Sequence, residues 1–156
     1  SGNQNLLGDD FRLFKNTTAW PLAVAVDNED TAEIRKQILC KKIPVDFKEK
    51  KFGQTLLMLA VQNNKEKSVA ELLSLGADPN TTDDKKNCWG QNAVLKAGSF
   101  ALYEAVFTDF EKVKLLIAKG ADVNYQTEEM PKGGAAQAAF YAVRMDIKHH
   151  QEHEKK

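Results

Sequence analysis

Histidine is nearly missing from this chain: its 156 residues hold three, His149, His150 and His153, all in a polar C-terminal stretch. No histidine is therefore placed to act as a general base beside a nucleophile in a folded core. The G-x-S-x-G elbow, the G-x-x-x-x-G-K-[ST] phosphate loop, G-x-G-x-x-G and H-E-x-x-H are absent as well. Cysteine is as scarce, and Cys40 and Cys88 are too few for a disulfide framework and lack the C-x-x-C spacing of zinc or redox sites. Two free thiols are expected, with a reducing cytoplasm as the default compartment and export left open. An excess of charge of one sign is also missing, because 22 Lys and Arg balance 22 Asp and Glu, so no net field draws the chain to nucleic acid or an anionic membrane. The longest apolar runs, such as 55–61, fall far short of the ~18 residues of a membrane span. Residue 1 is Ser and the methionines are Met58, Met130 and Met145, so Ser1-Gly2 reads as a tag remnant and a cleaved leader stays open.

What is present is the balance of one soluble globular domain, 42% hydrophobic and 28% charged. A chain of this length buries roughly two thirds of its unfolded surface and needs neither a metal nor a disulfide to fold. Its organising feature is a repeat. The segments 20–26, 55–61, 100–106 and 137–143 each end in Ala-Val, with the alanines at 25, 60, 105 and 142, in steps of 35, 45 and 37 residues. After each of the first three comes a polar stretch and then a second apolar-periodic run, 34–39, 69–73 and 113–117. Two of these runs stop at Leu-Gly-Ala-Asp-Pro-Asn80 and Lys-Gly-Ala-Asp-Val-Asn124, where Gly76 and Gly120 suit the left-handed position just past a helix. Each unit is thus predicted to be helix, tight turn, helix and extended loop.

Gly53-Gln-Thr-Leu-Leu-Met-Leu-Ala-Val61 followed by Leu-Leu-x-x-Gly76-Ala-Asp-x-Asn80 resembles an ankyrin repeat, and 120–124 repeats its second half. The resemblance implies an all-α solenoid of stacked helix-turn-helix units joined by hairpin loops. It divides the chain into an N-terminal cap, 1–16, repeats at 17–46, 47–80 and 81–124, and a degenerate C-terminal cap, 125–156. Ala25, Ala60, Ala105 and Ala142 are small because first helices stack closely, while Leu72, Leu73, Leu115 and Leu116 fill the layer between the two helix rows. Phe11 and Phe14 are expected to cover the first repeat. In that repeat Lys42-Ile-Pro-Val-Asp46 replaces the glycine-started turn, and Ala23, Met58, Tyr103 and Phe140 stand where the family usually has histidine.

Gly76 and Gly120 lie 44 residues apart against a regular period of 33, so about 11 residues are inserted, extending the hairpin loop 81–99. Two readings compete for it. Trp89, with Gln91 beside it, tips a binding finger that contacts a partner, or Trp89 and Val94-Leu95 fold back and bury themselves. The family's concave contact surface, carried over by position, adds Phe52, Gln54, Gln62 and Asn63 in the second unit and Ser99 and Phe107 in the third. Asp27 and Asn28 match in the first unit, Arg144 and Met145 in the fourth. The class of function implied is protein recognition by a monomer, without catalysis, cofactor or metal. One sharper version is an immunity-type inhibitor whose loop enters a partner enzyme's cleft. Rival readings are a spacer cut from a longer array and an enzyme or metal-dependent protein using the carboxylates or the His-rich tail, where His149 and His153 would share one helix face and Glu152 and Glu154 could add oxygen ligands. A fraying terminus supports metal ligands poorly.

Overall fold

The computed structural model describes residues 5–84, 93 and 115–121. A 3-10 turn, Phe11–Phe14, leads into α1, Trp20–Asp27, and α2, Thr31–Leu39; α3, Leu56–Gln62, and α4, Glu66–Ser74, repeat that pair, and 115–118 are helical. No strand occurs among the described residues, and none of their helices is long and apolar enough to cross a membrane. At seven to nine residues, α1 to α4 are too short to persist alone, so their stability comes from stacking. Local signals still set the starts. Pro21 sits in the first turn of α1, where no N–H is missed, and Asp30 and Thr55 cap α2 and α3 by accepting from Glu33 N at 3.1 Å and Met58 N at 3.4 Å.

The two units superpose down to the backbone of their turns. Asp30 N donates to Ala25 O and Lys65 N to Ala60 O, each at 2.9 Å, and the residue before each donor, Glu29 or Asn64, is left-handed at φ 53° or 57°. Asparagine tolerates that conformation, whereas glutamate there costs about 1 kcal/mol. Glu29→Gly is therefore expected to raise the unfolding free energy by roughly 0.5–1 kcal/mol in urea denaturation, with Asn64→Gly near neutral. The second helices also end at a left-handed residue. Gly76 and Gly120 have φ of 95° and are followed by Ala77 N to Leu72 O and Ala121 N to Leu116 O, whereas in the first unit Lys42, at 60°, stands one residue farther from its helix and the closing bond is Ile43 N to Gln37 O.

One contiguous core runs from Phe11 through Leu22, Val26, Ile34, the α3 residues Leu56, Leu57, Leu59, Ala60 and Val61, then Leu72 and on to Leu116 and Ala121. Ala25 and Ala60 are buried where α1 and α3 approach, and a larger side chain would force them apart. The 3-10 turn packs on α1, with Phe14 fully buried and its ring 6.2 Å from that of Phe47 in the following loop. Asp10 caps that turn through Arg12 N at 2.9 Å, and the Arg12 guanidinium holds the Asp10 carboxyl below the usual range. That contribution is present above the ordinary carboxylate range and is lost as pH falls through the lowered value. Between the units, Ser68 Oγ donates to Val26 O at 2.6 Å inside the core, and Arg35 meets Glu71 at 2.7 Å.

Candidate partner-binding surface

The hairpin between the first two units is built around one buried carboxylate. Glu49 is 2% exposed and accepts from Lys51 N at 2.6 Å, Phe52 N at 2.9 and 3.1 Å, and Gln54 N at 3.0 Å. Glu49 N donates to Gln54 O and Gly53 N to Glu49 O, which closes the tip. Gly53 is left-handed at φ 69°, and a Cβ on it would stand 2.9 Å from the Asp84 nitrogen, so the tip admits only glycine. The reason for the crowding is that the next loop is bonded onto this one: Asp84 N donates to Phe52 O and Lys48 Nζ to Thr82 O, both at 2.8 Å.

Beside this tip lie the ends of the first helices, where four of the expected contact residues fall. Asp27 and Asn28 are exposed at the end of α1, and Lys65 bridges to Asp27 at 3.3 Å. Gln62 and Asn63, at the same place on α3, are half-buried. Phe52, expected as an exposed aromatic, is half-buried against the core with Lys51 Nζ 5.1 Å from its ring centre. Gln54 is not on the surface: it is 1% exposed, its amide donates to Gly8 O, and its Oε1 accepts from Gln62 Nε2 at 2.7 Å.

What covers this side is the chain's own N-terminal segment. Lys51 Nζ donates to Leu6 O and Asn63 Nδ2 to Asp9 O, each at 2.8 Å, so with Gln54 three side chains hold three successive stretches of one backbone. Sequence reasoning named Gln54 and Asn63 but missed Lys51 and Glu49. Lys51 sits in a run of lysines that reads as ordinary solvated charge, and a carboxylate that binds main-chain N–H groups leaves no spacing pattern.

Trp89, Gln91, Ser99 and Phe107 lie outside the described residues, as do Arg144, Met145 and His149 to His153. Within 81–99, two described residues are buried: Asp83 is 3% exposed beside the Glu49 hairpin, and Ala93 is 2% exposed within the core cluster.

Single side chains tie each unit to the next. Asp46 accepts from Asp78 N at 3.0 Å, and Asn80 Nδ2 donates to Gly120 O at 2.9 Å. Burial pushes the Asp46 carboxyl above the usual range, with the Asp78 N–H opposing it, the Asp78 charge adding to it and Lys48 opposing it. A carboxyl raised in the folded state holds its proton more firmly there than in the unfolded chain, so stability falls as pH rises through that window. Asp46→Asn keeps an acceptor for Asp78 N and removes the charge. Its expected result is a higher Tm than wild type near neutral pH, with the two melts converging at about pH 3, where the wild-type carboxyl is protonated.

A family model described as ankyrin repeats (three copies) matches residues 4–83 and 22–127. No curated protein matches the chain.

Proposed function

The chain belongs to the ankyrin-repeat family, a scaffold for protein–protein interaction, and on that premise we propose that it binds a folded partner through its concave side and the loop 81–99. The observation that carries this reading is the repeated placement of Asp27-Asn28 and Gln62-Asn63, polar pairs at the C-terminal ends of successive stacked first helices, the first pair exposed and the second half-buried. The anchored residues 81–84 and Ala93 add a second support, because a loop held at these points loses less freedom on binding than a floating one. Trp89 is the proposed hot spot of that loop and Gln91 its polar neighbour, with Ser99 and Phe107 extending the surface in the third unit.

The test is partner capture from native lysate with single substitutions. Replacing the loop outright would strip Asp83 and Ala93 from the core and confuse folding with binding. Trp89→Ala is expected to weaken capture tenfold or more, as a loss of ~2 kcal/mol at a hot spot implies. Asn28→Arg, a surface change, is expected to block the concave side while leaving the melt within about 0.5 kcal/mol of wild type. Full partner recovery with both variants would remove this surface from consideration. Should the captured partner be an enzyme whose activity falls on binding, the inhibitor version of the reading is supported, and Trp89→Ala should then relieve the inhibition.

A further inference from the structure

The segment 6–9 is held as a ligand would be held. Lys51 Nζ, Gln54 Nε2 and Asn63 Nδ2 donate to the carbonyls of Leu6, Gly8 and Asp9, residues 45, 46 and 54 positions away in sequence. The donors are oriented in advance. Gln62 Nε2 bonds both Gln54 Oε1, at 2.7 Å, and Met58 O, at 3.0 Å, which turns the Gln54 amide nitrogen toward the segment; Asn63 Nδ2 is steadied by Leu59 O at 2.8 Å. These three contacts fall on main-chain carbonyls, while the Leu7 side chain is 73% exposed and Leu6 packs against the core cluster. The segment so held is a turn, closed by Asp10 N donating to Leu7 O at 3.2 Å, and fixed donors aimed at its carbonyls recognise that backbone shape more than its outward side chains. One position is selective: a Cβ on Gly8 would stand 3.1 Å from Gln54 Nε2, so a side chain there presses on the amide that holds the segment.

We propose that Lys51, Gln54 and Asn63 form a binding site for a glycine-bearing peptide turn of a partner protein, and that residues 6–9 occupy it in cis as a built-in competitor. This rests on the reading of the concave side as the partner surface and names what part of the partner enters it. A short tether presents the cis segment at an effective concentration of the order of millimolar. A peptide of ~100 μM intrinsic affinity therefore meets a site that is roughly nine-tenths filled, and its apparent affinity is lowered about tenfold. A partner gains access by displacing the segment, so contacts elsewhere on the concave side or at Trp89 would supply the difference.

The experiment uses the full chain and a fluorescein-labelled peptide of the sequence of residues 3–12, followed by anisotropy. Two variants open the site without altering it: deletion of residues 1–9, which removes the bonded carbonyls, and Gly8→Val, whose side chain meets Gln54. Helical circular dichroism checks each fold, and Gly8→Val carries the comparison if the deletion lowers the helix signal. The opened chains are expected to bind the peptide at least tenfold more tightly than wild type. Asn63→Asp, added to an opened chain, should abolish that gain by putting a carboxylate in front of the carbonyl. A peptide with valine in place of its glycine should bind the opened chain at least tenfold more weakly. Equal binding by wild-type and opened chains, or no binding by an opened chain of native helix content, would overturn the proposal. That result leaves partner capture by wild type intact, whereas indifference of capture to Trp89→Ala and Asn28→Arg defeats the broader reading.

Discussion

Glu49→Ala is expected to lower the unfolding free energy by about 3 kcal/mol, and the Tm by about 6–12 °C for a chain of this size. The carboxylate accepts from three main-chain N–H groups in a site closed to water, and alanine leaves all three without an acceptor where they are hardest to solvate. Glu49→Gln should fall between, since one oxygen remains and its amide group offers donors where acceptors are needed. Lys50→Ala, on the exposed neighbour, is the control and should stay within about 0.5 kcal/mol. Urea denaturation monitored by circular dichroism measures all three. A melt of Glu49→Ala that matches wild type would show that water replaces the carboxylate and that the hairpin does not depend on it.

The second large effect is expected at Phe14→Ala, about 3–5 kcal/mol. Its side chain is fully buried between the 3-10 turn, α1 and Phe47, so truncation both removes apolar burial and leaves a cavity that a short, stacked helix pair cannot easily close. Leu7→Ala, on a side chain that is mostly in water, should be silent in the same assay. The contrast separates two roles of neighbouring residues. The segment around Phe14 is part of the core, while 7–9 rest on the surface through main-chain bonds. Comparable losses for Phe14→Ala and Leu7→Ala would erase that distinction.

The helix pairs and their stops were legible because each depends on residues close in sequence. Ala-Val with leucines at helical spacing marked α1 and α3, and Gly76 and Gly120 marked the left-handed stops. Lys42 hid a left-handed stop in the first unit, since lysine carries no preference for that conformation and only the surrounding stack imposes it. The surface was legible as a region and misjudged in its depth. Gln62 and Asn63 were placed by their position after Ala-Val, but nothing in a glutamine at 54 announces that residue 8 lies over it. Bonds to main-chain carbonyls are indifferent to side-chain identity, so the segment they hold has no signature. Glu49 was missed for the same reason from the other partner's side: it binds N–H groups that every residue has.

The side-chain ties between units, Asp46 to Asp78 N and Asn80 to Gly120 O, bear on how such an array can drift in sequence. One tie lands on an N–H and the other on a carbonyl, both main-chain groups of the turn that follows a second helix. Neither landing point supplies a side-chain polar group, so each joint depends on one residue and not on two changing together. Asp46 and Asn80 are therefore the constrained ends, whereas the side chain of Asp78 can change without loss of the tie to Asp46.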